Sequence, residues 1–433
     1  LGQTLSRTQI ETVLTPLGVI EQRARKLTMV LTVLVIIAMN LFTEEAIDDV
    51  LGRLLQGPRF LRVGEDPVPA GASAISQRRR QVGVAPLVAL FHQVCRPLAT
   101  PATRDAFLDG LRLMAIDGVT EDVADTPANA RYFGRQHKGH AGRGASAFPQ
   151  VKGVYLCECG THAIVDAGFW PCAVPERKGA RRLLRSVGPG MLVMWDSGLH
   201  SFDMCATCAV QQHAHFLSRL PAYVKPRVVQ RLADGSYLAD LQPADRARRR
   251  AGETLRVRII EYTVDDPGRV GHGQRHRLVT SLLDEGAYPA PLLAAAYHER
   301  WEIEITIDET DTHQRRPRHP LRSQTPTGVL QELYGLLLAH YAVRAVMHQA
   351  AERADVAPDR LSFIEAVRIL RVGVFEFQIV APVQRDQLYA RLLDDIARAQ
   401  LPARDNRRCN PRVVKRKMSN FPLKREMHRH PPQ

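Results

Sequence analysis

Two apolar runs in this chain each end on an acid. Leu111–Ile116 runs straight into Asp117-Gly118, and Met191–Trp195 runs into Asp196-Ser197-Gly198. Short apolar runs closed by turn-forming residues read as buried strands. A charged carboxylate at the tip of a buried strand is costly and uncommon. Two of them suggest carboxylates converging at one sheet edge. A third acid follows on a segment expected to be helical from Pro291 past Glu304. There, Tyr297, Arg300 and Glu304 are spaced i, i+3, i+7 and share one helix face. Spacing alone leaves two readings for that face, because Arg–Glu at i, i+4 is also a common surface pair.

The rest of the chain frames these acids. Residues 1–105 look helical, with Ile47, Val50, Leu51, Leu54 and Leu55 on one stripe. Gly153–Cys157 and His162–Val165 flank a hairpin. Val228–Leu232, Ser236–Leu241, Leu255–Val264 and Arg277–Leu283 read as strands, with Asp234-Gly235 as a turn and Asp245–Arg250 as a basic loop. Helix returns over Gly328–Gln349.

Charge narrows the partners. Lys and Arg total 59 against 45 Asp and Glu, a net +14, and the pI is near 9.8. Such a balance points to a polyanion, either nucleic acid or an anionic membrane. The longest apolar run, Leu27–Phe42, falls short of the ~20 residues that span a bilayer. Residues 401–433 hold ten Lys/Arg and two acids, so +8 of the charge lies there. Seven cysteines, an odd number, suit a reducing cytoplasmic setting better than a disulfide framework. Cys157, Cys159, Cys172, Cys205, Cys208 and His162 offer zinc ligands on paper, against the simpler reading of small buried side chains. The run Arg78-Arg79-Arg80 is either a DNA-contacting face or a solvated basic one.

The order of these motifs resembles a known family. Tyr297, Arg300 and Glu304 fit the Y-x2-R-x3-E signature of the insertion-element-four DDE transposases. Met114–Thr120 is similar to that family's first aspartate block, and Gly190–Gly198 to the second. Asn129–Gly134, Ala147–Gln150 and Gln331–Leu337 are similar to further family segments. The resemblance implies an α/β fold: a ribonuclease-H-like catalytic core interrupted by a β-rich insertion, with an all-helical N-terminal domain. Its expected boundaries are 1–105 for the helical, DNA-binding domain, 106–208 and 291–385 for the two parts of the core, 209–290 for the insertion, and 386–433 for a basic tail.

The resemblance also implies a transposase that binds element ends and catalyses metal-dependent strand cleavage and transfer. Asp117, Asp196 and Glu304 would be catalytic and hold two Mg²⁺ ions, with Mn²⁺ as a substitute. Hard cations of this kind prefer carboxylate oxygens. Tyr297, Arg300, Arg78, Arg79, Arg80, Lys415, Arg416 and Lys417 are expected to contact DNA. Partners would be double-stranded DNA and a second copy of the chain, in a cytoplasmic protein associated with the nucleoid when bound. Three positions depart from the family pattern: Asp311 stands where a lysine is usual, and Ser197 and Leu199 follow the second aspartate where arginine and an aromatic residue are usual. They support an alternative in which an impaired copy acts only as a DNA-binding protein.

Overall fold

The computed structural model describes residues 5–21, 27–55, 70–136, 144–263, 273–315 and 319–402. Five helices come first: α1 (Arg7–Leu14), α2 (Met29–Ala38), α3 (Ile47–Leu55), α4 (Ala72–Val82) and α5 (Ala85–Val94). The apolar run noted above is α2, with Thr28 as its N-cap accepting from the Leu31 amide at 3.1 Å. Among the described residues no helix is long and apolar enough to cross a membrane.

The core alternates next. In order come β1 (Phe107–Leu108), β2 (Leu111–Asp122), α6 (Pro127–Phe133), β3 (Gln150–Glu158), β4 (Ile164–Pro171), α7 (Glu176–Leu183), β5 (Met191–Trp195), α8 (Phe202–Ala206) and β6 (His215–Arg219). The insertion supplies β7 (Arg227–Arg231), β8 (Tyr237–Leu241), α9 (Arg246–Arg250), β9 (Leu255–Thr263) and β10 (Arg275–Thr280). The chain closes with α10 (Ala290–His298), α11 (Trp301–Asp308), α12 (Pro326–Ala354), α13 (Phe363–Ile379) and α14 (Arg385–Arg398).

All strands join one sheet in the order β4-β3-β2-β5-β6-β10-β9-β8-β7, with β1 paired to β2. β2–β5 and β5–β6 are parallel, and the remaining pairs are antiparallel. The centre is buried on both faces, as parallel strands require: Leu192–Trp195 and Met114–Ile116 are fully buried.

Four expectations need correction. Asp117 lies mid-strand, because antiparallel pairing with β3 carries β2 on to Asp122. β6 falls within 209–290 yet pairs in parallel with β5, so it is a core strand. The basic loop is the short helix α9, capped by Asp245, which accepts from the Arg248 amide at 2.8 Å. The helix past Pro291 is broken at Glu299-Arg300. There the bonds tighten to i→i+3, from Arg300 N–H to Tyr297 O (3.3 Å) and from Glu302 N–H to Glu299 O (3.0 Å).

α12 is buried nearly all round, its inner polar residues such as Glu332, His340 and Arg344 included, and is packed by α2, α5, α13 and α14. Gly335 makes the α2 contact possible: a Cβ there would stand 2.7 Å from the Ile36 carbonyl oxygen and 3.0 Å from Asn40 Nδ2. Alanine would gain about 1 kcal/mol of helix propensity, but backbone must move to admit it, at about 1–3 kcal/mol. Gly335→Ala should therefore lower the thermal midpoint; a raised midpoint would mean that α2 and α12 pack less closely than described.

Candidate active site

Register brings the first two acids together. β2 and β5 pair Arg112 with Met191 and Ala115 with Met194, an offset of 79. Carried two residues further, that offset sets Asp117 opposite Asp196. Strands in a sheet lie ~4.8 Å apart, so both carboxyl groups rise from neighbouring backbones where β5 ends. Asp117 Oδ1 accepts from the Gly118 amide at 2.8 Å. Asp196 Oδ1 accepts from Gly198 (2.9 Å) and Leu199 (3.1 Å).

The third acid arrives on α11, and Arg300 joins it to the first. Its Nη1 lies 3.3 Å from Asp117 Oδ2, and its Nη2 lies 2.9 Å from Glu304 Oε1. Tyr297 donates its hydroxyl to the Trp195 carbonyl at 3.3 Å, so α10 is tied to the residue just before Asp196. Trp195 itself is buried and stacks on Phe216 at 5.4 Å. The structure thus brings Tyr297, Arg300 and Glu304 to Asp117 and Asp196.

Sequence reasoning missed a fourth carboxylate. Glu176 opens α7, and its side chain lies across Gly118: a Cβ on that glycine would stand 1.6 Å from Glu176 Oε1 and 2.2 Å from Cδ. The residue as a whole is exposed, but its carboxyl end is tucked against β2. Burial of that end and the charge on Asp196 raise its pKa, while Lys152 works the other way. Burial likewise pushes Asp117 up to about 6; Gly118 and Arg300 oppose the shift, while Asp196 and Glu176 add to it. The available signal was the glycine directly after Asp117, which leaves room for a neighbour.

The basic candidates divide. Arg78 donates to Glu21 (2.9 Å) and to the Leu27 carbonyl (2.9 Å). Arg79 donates to Ser323 (3.1 Å), Gln331 (3.3 Å) and the Gly328 carbonyl (3.2 Å), which fastens α4 to α12. Both are committed within the protein, and Arg80 is exposed. Lys415, Arg416 and Lys417 lie outside the described residues. Cys157, Cys159, Cys205 and Cys208 are buried, and His162 sits between two glutamates. Asp311 lies in a π-helical turn, Glu309–Gln314, beside Glu121 and Arg315. Burial and Glu121 hold its carboxyl well above the usual range. In this chain position 311 therefore belongs to an internal cluster with Glu121 and Arg315.

Comparison with known proteins decides what this site belongs to. The model of the insertion element 4 transposase N-terminal region matches residues 1–92, and that of the transposase DDE domain matches residues 109–342. The transposase InsG for insertion sequence element IS4 of Escherichia coli (strain K12) is 31% identical over 427 residues, 98% of this chain and 93% of that protein. The chain belongs to the insertion-element-4 family of DDE transposases. A putative transposase, InsZ, from the same strain is 27% identical over 135 residues, 31% of this chain and 44% of its own. A solved piggyBac transposase synaptic complex with hairpin DNA aligns over 90% of this chain and 82% of its own, with 11% identity and a TM-score of 0.45. Membership of the DDE transposase family gives the chain a ribonuclease-H-like core, action on DNA in insertion-sequence transposition and a dependence on divalent metal. Among the described residues no three His, Cys, Asp or Glu side chains stand close enough to hold an ion. The donor chemistry nonetheless fits: Asp117, Asp196 and Glu176 lie near enough to feel one another's charge, and Arg300 bridges Asp117 to Glu304.

Asp117 gives the site a stability cost. Native Asp117 keeps its proton up to about pH 6, while an unfolded aspartate loses it near 3.8. Stability is therefore lost as pH rises through that window. In chelator at pH 8, Asp117→Asn should be more stable by on the order of 1–2 kcal/mol, the loss of its Arg300 pair included, and this gain should fade by pH 4. A lower melting midpoint at pH 8 would overturn this.

Proposed function

We propose that Asp117, Asp196 and Glu304 are the metal-holding carboxylates of the transposase, that the metal is a pair of Mg²⁺ ions replaceable by Mn²⁺, and that Glu176 completes the donor set. The observation that carries the reading is the β2–β5 register, which, extended two residues past its last pair Ala115–Met194, brings Asp196 beside Asp117, with Glu304 joined to Asp117 through Arg300. When bound, the ions supply positive charge to the attacking and departing oxygens of the phosphodiester.

The protein's own part is placement. Arg300 holds Glu304 toward Asp117 in the resting protein, and its planar fork suits a phosphate once DNA arrives. Tyr297 keeps α10 against the end of β5 and lines the same approach. Water attacks phosphorus at the element end and the 3′-oxygen leaves with a proton. The freed 3′-hydroxyl then attacks a phosphorus of target DNA, and the target's own 3′-oxygen leaves with the hydroxyl's proton. Arg80 and the basic tail add sequence-independent backbone contacts, which salt weakens steeply. Two ends must be joined in one complex, so the active form is a homodimer acting on the nucleoid in the cytoplasm.

The test is nicking of DNA carrying the element's terminal repeats in Mg²⁺. Asp117→Ala, Asp196→Ala and Glu304→Ala should each abolish it, and persistent cleavage in any of them would remove that residue from the set. Glu176 has a steric test of its own. Gly118→Ala pushes the Glu176 carboxyl aside without changing charge, so it should match Glu176→Gln, each slowing cleavage about ten- to a hundredfold. The double variant should be no slower than either single one. Additive losses would separate the two residues.

A further inference from the structure

Behind Glu304 lies a buried ionic network that the chemistry does not use. Glu302 is two residues from Glu304, about 200° around the helix, and so points away from the catalytic pocket. Glu309, seven residues on, lies on the same side as Glu302 and opens the π-helical turn. His162 enters from the tight turn between β3 and β4, where its backbone is left-handed (φ +57°). Its Nε2 lies 2.9 Å from Glu302 Oε2, and its Nδ1 lies 3.0 Å from Glu309 Oε1. The other Glu309 oxygen meets His340 Nε2 at 3.0 Å and accepts from Arg344 Nε at 2.9 Å. Arg344 lies 5.4 Å over the Phe363 ring. His162, His340 and Arg344 are at most 1% exposed. Three elements meet here: the β3–β4 turn, the Glu304 helix and α12.

Stability alone does not explain such a cluster. Buried ion pairs can often be replaced by apolar side chains of similar volume at no loss, because desolvation offsets their attraction. What an apolar contact cannot supply is direction. Two glutamates seven residues apart, both bonded to one imidazole, fix the rotation of α11 and its position along its axis. That imidazole is four residues beyond β3, the strand paired with Asp117 itself.

We propose that the His162–Glu302–Glu309–His340–Arg344 network is a positioning device that sets where Glu304 meets Asp117 and Asp196. The proposal rests on the reading of Glu304 as a metal-holding carboxylate. Displacing a reacting group by about 1 Å can cost a hundredfold in rate, so a modest rotation of α11 is enough to matter.

The experiment uses the full-length protein and terminal-repeat DNA. Glu302→Met, close in volume and uncharged, should keep its thermal midpoint within a few degrees. Its kcat for nicking should fall tenfold or more, with the KM for DNA unchanged and more Mg²⁺ needed for half-maximal rate. Glu302→Gln keeps an oxygen for His162 and should recover most of the rate. His162→Asn tolerates the left-handed backbone but is too short to reach both glutamates; it should repeat the loss and serves if Glu302→Met does not fold. A folded Glu302→Met or His162→Asn that nicks at the wild-type rate overturns the proposal, as does a loss that only tracks the unfolded fraction. Glu304→Gln separates the two readings: if it still nicks, the assignment of Glu304 fails, and if it is dead while Glu302→Met is fully active, only the positioning role falls.

Discussion

Everything in this molecule hangs on the parallel pairing of β2 with β5. Extended past its last pair, it brings Asp117 and Asp196 onto neighbouring backbones over a core in which Met114, Ala115, Met194 and Trp195 are fully buried. Two like charges about 5 Å apart repel by on the order of 3 kcal/mol at a protein-like effective dielectric. The sheet does not relax to relieve this, because β3 and β6 clamp the pair from outside along most of its length. The strain is met locally. Backbone amides of Gly118, Gly198 and Leu199 face the aspartates, and burial raises the Asp117 pKa to about 6.

Arg300 follows from that constraint. It stands at the break between α10 and α11, where i→i+3 bonds tighten the chain. An unbroken helix would hold Tyr297, Arg300 and Glu304 on one straight face. With the break, the tyrosine reaches the end of β5 while the arginine bridges β2 and α11. One turn of backbone thus serves both central strands. The insertion joins the same frame, since β10 pairs directly with β6, one strand from β5.

The acids were legible in the sequence because each interrupts or follows an apolar pattern. Periodicity reports whether a side chain meets core or solvent, and Asp117, Asp196 and Glu304 all break it. It does not report which partner is met. The length of β2 past Asp117 depends on β3, which lies some thirty residues on, so Asp117 looked like a strand tip. His162 meets Glu302 and Glu309 across separations of 140 and 147 residues, and Arg344 across 182. No local pattern holds that information. Arg78 and Arg79 show the converse case: a charge run that reads as a surface is spent on Glu21, Ser323 and Gln331 instead. Glu176 was hidden for a third reason, since its place depends on an atom that Gly118 lacks.

The charge balance at the site is the opposite of that of the whole chain. Around Gly118 the four carboxylates of Asp117, Glu176, Asp196 and Glu304 face two cations, Arg300 and Lys152, which leaves two negative charges in excess. A phosphodiester brings one more and is repelled by that pocket at short range. Attraction for DNA must therefore come from elsewhere on the chain, whose net charge is +14, with +8 of it in residues 401–433. The overall positive charge suits a polyanion, while the local negative one is what a bound divalent cation would offset before a phosphate could approach.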